Sequence, residues 1–580
     1  MGQVIFFRTR KRGHLPLTGI LWLMKIGHCI PALTLLAAVA SAAPGFEVRF
    51  SHDTRATPVD GRLIVVIAAR GTPEPRMQVG WDVSTAQVFA IDVENWKPGE
   101  PMRIDDSATG APLASLKDLR PGNYTVQAVL NVYETVRRSD GHVLKLPWDD
   151  GEGQHWNSSP GNLISTPKTL AIRADSTPSI ELTDTIPPIK PPADTKFIRH
   201  VRFESKLLTQ FWGRPVSLGA IVLVPPGFDE NPSQRYPIVF EQGHFPTGFR
   251  SWREEPPPAS LTGMARDSAN MAYRFYQDWS SGRLPKMLIV QTQHPTPYYD
   301  DSYGVNSANM GPYGDALTKE FYPFLEQKFR AIGESWARLL YGGSTGGWMS
   351  LAQQVFYPEF FGGTWSFCPD PVDFHMFQTI DVYRDQNAYY DVGPFARVPK
   401  PLGRYPDGRL LATFEGFSKQ EAALGSKARS GGQLDAFHAV FGPVGKDGYP
   451  AQLWNPATGD INAEVARYWA EHYDLTALLR REWESRGPKL VGKIHVLMGT
   501  KDTFYLDTAV NFLEQFLEST KLPGKGPYYG GSVVYGNNKP HCWAGDIPSG
   551  MTLQQYYLPI FADHMAKMAP RGSDTESWRR

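Results

Sequence analysis

Two hydrophobic periodicities divide this chain. Across residues 46–180, short alternating or β-branched runs recur, such as Leu63-Ile64-Val65-Val66-Ile67 and Tyr124-Thr125-Val126-Gln127-Ala128-Val129-Leu130. Turn signals such as Arg120-Pro121-Gly122-Asn123 separate them, and this spacing predicts an all-β, immunoglobulin-like sandwich over residues 44–184. The proline-rich stretch Thr185-Ile186-Pro187-Pro188-Ile189-Lys190-Pro191-Pro192 then predicts a stiff linker over 185–196. Beyond it, across 197–570, strand alternates with helix. Strand candidates are 221–224, 236–240, 287–291, 338–341, 364–367, 494–498 and 532–535, and helical spacing fills 316–329 and 508–517. Near-continuously apolar strands in that alternation predict a doubly wound, mostly parallel sheet covered on both faces. The interval 371–490 is too long for a simple crossover, so it is an expected insertion, either a lid over a site or an excursion away from one.

Composition narrows the picture. The 580 residues carry 59 Lys+Arg against 59 Asp+Glu, a net charge of +0, which excludes the basic footprint of a nucleic-acid binder. Residues 1–43 have the form of a targeting segment, with Met24 as an alternative start, one lysine at Lys25, an apolar stretch over 30–40, and small residues Ser41-Ala42-Ala43. Lys25, Gly27, His28 and Pro31 interrupt the apolar run short of a bilayer span, and no later segment is long enough. An exported protein, periplasmic or secreted and without a stable membrane span, is the expectation. Of three cysteines only Cys368 and Cys542 lie beyond that segment, too few for a disulfide scaffold or a cysteine metal site. The oligomeric state is left open.

The densest chemical signal is Tyr341-Gly342-Gly343-Ser344-Thr345-Gly346-Gly347-Trp348. A strand precedes it, and Trp348, Leu351, Ala352, Val355 and Phe356 mark one face of a helix after it, ended by Tyr357-Pro358. A serine on such a sharp strand-to-helix turn is a nucleophile candidate. It needs a histidine to accept its proton and a carboxylate to hold that histidine. Asp502 follows the strand 494–498 and His541 follows 532–535, giving the chain order serine, acid, histidine. Asp370 and Asp507 are the competing acids, and His495 sits inside a strand. Backbone N–H groups of Thr345 and of His244, in the loop after 236–240, are the expected oxyanion donors. Gln242, Tyr298, Tyr299 and Trp348 are candidate substrate contacts; the ring-rich loop 293–303 would wall a pocket or simply tie itself down. Asp300-Asp301 lacks the ligand spacing of a calcium loop, and no metal site is expected.

Leu223-Val224-Pro225-Pro226-Gly227-Phe228, Tyr236-Pro237-Ile238-Val239, Tyr313-Gly314-Asp315, the Ser344 motif, Asp502 and His541 together resemble the Putative esterase family of α/β-hydrolases. That family contains feruloyl and acetyl-xylan esterases, enterobactin esterase and S-formylglutathione hydrolase. Over residues 200–565 the resemblance implies an α/β-hydrolase fold and a serine carboxylic-ester hydrolase needing no cofactor, acting on a small-molecule or carbohydrate-linked ester. The family usually carries His-Gly where this chain has Gln242-Gly243, which touches the oxyanion geometry. Some feruloyl esterases and tannases bridge a cysteine beside the histidine to one beside the serine. By that likeness Cys542 pairs with Cys368 or both stay free. A serine peptidase or acyltransferase on the same residues, and a non-catalytic polysaccharide binder, are the rival functions.

Overall fold

The computed structural model describes residues 44–153 and 155–579; the targeting segment expected over 1–43 lies outside the described residues. The apolar runs assemble into an eight-stranded sheet of β1 (Ile198–Glu204), β2 (Ser217–Leu223), β3 (Ile238–Gln242), β4 (Leu288–Gln293), β5 (Arg338–Gly343), β6 (Gly363–Phe367), β7 (Ile494–Gly499) and β8 (Ser532–Gly536). Their order is β1-β2-β4-β3-β5-β6-β7-β8. The β1/β2 and β2/β4 pairs are antiparallel, and every later pair is parallel. Val239, Phe240, Ile289, Val290, Leu339 and Leu340 have essentially no exposed surface, because helices cover both faces, and so the strands lack polar alternation. β1 carried no such signal. It is an edge strand, and Arg199, Arg202 and Glu204 break its apolar pattern.

The longer helices are α1 (Gly263–Ser280), α2 (Thr345–Phe356), α3 (Phe414–Leu424), α4 (Gln433–Phe441), α5 (Ala463–His472), α6 (Leu475–Leu490), α7 (Asp507–Ser519) and α8 (Leu553–Met568). Thr552 opens α8 with a reciprocal capping box to Gln555. The helical stretch expected over 316–329 is divided: Ala316–Phe321 is π-helical and Tyr322–Lys328 is α-helical. Pro323 falls in the first turn of the second piece, where its missing N–H costs least. Between β6 and β7 the insertion holds α3 to α6 and two hairpins, Tyr390–Val392 with Arg397–Pro399 and Pro401–Arg404 with Leu410–Thr413. No helix among the described residues is long and apolar enough to cross a membrane.

The N-terminal strands form two sheets. One has three strands, Ser179–Leu182, Phe46–Phe50 and Met102–Ile104; the other is built around Gly122–Arg137, Val59–Ala68 and Gln87–Trp96. Phe46, Val48 and Phe50 of the first meet Leu63, Val65, Phe89 and Trp96 of the second in one core, with Phe50 edge-on to Trp96 at 4.8 Å. The opposite face of the larger sheet is apolar too. Ile64, Val66, Val88, Ala90 and Val129 pack there against Ala423 and Leu424 of α3. Arg62, buried beneath this contact, donates to the carbonyls of Ala422 and Ala423 at the end of α3 and pairs with Asp92 at 3.2 Å. The described residues thereby form one compact unit.

Candidate active site

Ser344 sits between β5 and α2 with φ 58° and ψ −123°, a conformation that an L-residue adopts only when its surroundings enforce it. Its N–H donates to Phe367 of β6 at 3.0 Å. The glycines are needed because the turn is crowded: a Cβ at Gly346 would strike the Gln242 carbonyl, and one at Gly347 would strike that of Phe367.

Asp502 lies in the turn after β7 and is fully buried. One carboxylate oxygen accepts the backbone N–H groups of Phe504 at 2.8 Å and Leu506 at 3.3 Å. The other stands 2.6 Å from Nδ1 of His541, whose Nε2 is 2.9 Å from Oγ of Ser344. The turn is braced from the insertion. Arg404 donates to the Asp502 carbonyl at 2.9 Å and pairs with Asp507 at 3.2 Å. Burial pulls the His541 imidazole down, but its hydrogen bonds to Asp502 and Cys542 outweigh that and raise it to about 10.

The competing acids have other partners. Asp507 is engaged by Arg404, and buried Asp370 accepts from Tyr303 Oη at 2.8 Å, Thr345 Oγ1 at 3.1 Å and Gln433 Nε2 at 3.2 Å. His495 stacks on Trp365 at 4.3 Å.

Thr345 is the first residue of α2, so its N–H has no partner within the helix. The loop after β3 passes directly over Gly346, and His244 follows in that loop. The His244 Nδ1 is 3.2 Å from Asp300 and 3.4 Å from Asp301. Burial pulls His244 down and the two carboxylates lift it further, to about 11; half the side chain stays open to solvent, which screens the field. The protonated form of His244 is thereby favoured in the loop after β3.

Two of the expected substrate contacts, Trp348 and Tyr298, lie wholly in the core. Trp348 is wholly buried, packed on Tyr303 and Phe441 with its indole N–H on the Pro371 carbonyl. Tyr298 is wholly buried in the field of Arg138, Tyr449 and Arg429. Gln242 is buried in a relay with Tyr322 at 3.0 Å and Thr292 at 3.1 Å. Ring and amide density in a sequence does not distinguish core from pocket. Tyr299 does reach the site, donating to Gln433 and lying 3.4 Å from His244 Nδ1. Gln433 is the residue that sequence reasoning missed. At the first position of α4, it also bonds Tyr303 and, at 3.1 Å, Thr345 Oγ1, and no motif surrounds it.

Cys368 and Cys542 bring their sulfurs within 2.8 Å of each other, covalently unbonded in the structure. Ligand-type atoms of His244, Asp300 and Asp301 lie within 4.8 Å of one another, as do those of Cys368, His541 and Cys542, and both sets are engaged in mutual ion pairs or hydrogen bonds. A cavity of about 660 Å³ flanks the loop after β3, lined by Glu241, Gln242, Gly243, His244, Arg250 and Gln554; neither Ser344 nor His541 lines it.

A family model described as Putative esterase matches residues 218–551. Among solved structures, the chain is similar to a ferulic acid esterase at 15% identity, with a TM-score of 0.35, covering 64% of this chain and 100% of that one. It is also similar to an S-formylglutathione hydrolase from Agrobacterium tumefaciens at 14%, TM-score 0.33, covering 65% and 98%. A third likeness is to dipeptidyl peptidase 4 of Porphyromonas gingivalis at 10%, TM-score 0.32, covering 83% and 49%. None of the curated proteins compared with the chain matches it.

Proposed function

Because the chain belongs to the Putative esterase family and is a carboxylic ester hydrolase of the α/β-hydrolase fold, we propose that Ser344, His541 and Asp502 are its catalytic triad. The supporting observation is the continuous pair of hydrogen bonds, 2.9 Å from Ser344 to His541 and 2.6 Å from His541 to Asp502. In this reading Nε2 of His541 takes the Ser344 proton as Oγ bonds to the ester carbonyl carbon. The resulting oxyanion accepts the N–H groups of Thr345 and His244, each worth about 3 kcal/mol in such chemistry. The intermediate collapses to an acyl-enzyme, and the leaving alkoxide takes the proton from His541. Water, deprotonated by the same imidazole, then releases the acid and restores Ser344. Asp502 fixes the tautomer and stabilises the imidazolium between these transfers.

The finer reading follows the same family: an exported enzyme on carbohydrate-linked or aromatic esters, with residues 44–184 as an immunoglobulin-like sandwich and 371–490 as an insertion in the catalytic domain. Ser344→Ala is the test. It should abolish hydrolysis of short p-nitrophenyl esters and labelling by a fluorophosphonate while the melting transition stays. Undiminished turnover in that variant refutes the triad.

A further inference from the structure

A turn of the N-terminal sheets reaches the catalytic machinery. Gln420 of α3 donates to the Gly80 carbonyl and, at 3.1 Å, to Thr85 Oγ1, pinning the residues between them. Trp81, held in that turn, faces Phe504 at 5.5 Å with 31° between the rings and meets Phe417 of α3 edge-on at 6.0 Å. Phe504 belongs to the turn that carries Asp502, and its ring stands perpendicular to the His541 imidazole at 4.9 Å. Three distant segments therefore build one row of rings that begins at the base. Trp81 keeps 40% of its surface exposed, far more than an indole that only fills an interface needs.

The side on which this row stands decides what it can touch. His541 protonates the leaving oxygen, so groups packed against its imidazole border the alcohol portion of the ester rather than the acyl portion. We propose that Trp81, with Phe504 and Phe417 behind it, is a specificity-determining residue that receives an aryl ring carried on the alcohol of the substrate. The proposal rests on the triad reading above. It gives the N-terminal sheets a part in substrate choice: they complete the leaving-group wall of the site.

The full chain is assayed on 2-phenylethyl acetate and ethyl acetate, which differ on the alcohol side, and on methyl 3-phenylpropionate and methyl propionate, which differ on the acyl side. Trp81→Ala should lower the preference for phenylethyl over ethyl acetate, as a ratio of kcat/KM, by about tenfold and through KM, while the acyl-side preference moves less than about twofold. Trp81→Phe should keep most of the alcohol-side preference, and Val83→Ala, in the same turn and 97% exposed, should keep all of it. Equal losses on all four esters, a loss confined to the acyl pair, or an unmoved ratio in Trp81→Ala each overturns the assignment. A wild-type chain that hydrolyses none of the four and takes no fluorophosphonate label removes the triad reading and this proposal with it. An active wild type with an unmoved ratio removes this proposal alone.

Discussion

At His541, two neighbours act in the same direction against burial. Asp502 and Cys542 both favour the imidazolium, and Cys542 is itself held down to about 5, first by its hydrogen bond from Cys368 and then by His541. In the proposed triad His541 must be neutral to accept the Ser344 proton, so kcat/KM should fall as pH drops through its raised pKa. Cys542→Ala removes one of the two raising contacts and should move this acid limb to lower pH, read from a kcat/KM profile under reducing conditions. A limb that stays in place denies the sulfur any influence. The triad candidates were legible because each follows a strand, and a sheet of this type places serine, acid and histidine in that order. Cys542 was legible as a position beside the histidine, but its electrostatic effect depends on the sulfur of Cys368, just past β6, which no local pattern announces.

One carboxylate sets the placement of a whole helix. Glu421 of α3 accepts the N–H of Leu434 at 3.0 Å and of Asp435 at 2.7 Å, capping α4 from outside. That cap holds Gln433 over Thr345, where it joins the two sides of the proposed oxyanion site through Tyr299 and His244. Gln433→Leu should therefore lower kcat about fivefold to tenfold on every ester while KM changes little, since its bonds position donors that act in the transition state. A change in KM alone would place Gln433 against substrate instead. Elements with continuous apolar runs were read correctly from the sequence, β3 to β7 among them. The edge strand β1 and the contacts of the insertion were not, because edge strands mix charge with apolar residues and α4 is positioned by a residue on another helix.

Across the whole molecule, several carboxyl groups are held protonated more tightly than in an open chain. Burial raises Asp149 to about 7, with the N–H groups of Gly151 and Glu152 pulling the other way. Between the ordinary aspartate value and about 7 the folded state binds more protons than the unfolded one, so stability falls as pH rises through that window. Asp149→Asn should flatten this decline in a series of melting temperatures from acid to neutral pH, and an unchanged slope would exclude the residue as its source. At this scale the run Leu63-Ile64-Val65-Val66-Ile67 also finds its explanation. It is apolar on both faces because one face meets the three-stranded sheet and the other meets α3. Periodicity showed the strand; what lay on its second side depended on residues more than three hundred positions away.

That second contact limits how the gene product can be dissected. A fragment begun after the proline run would leave Ala423 and Leu424 without their cover and the ends of α3 without Arg62, turning an internal seam into a greasy outer wall. Such a fragment would clump in water, and with Trp81 gone any turnover it retained would come from a site without the alcohol-side wall proposed above.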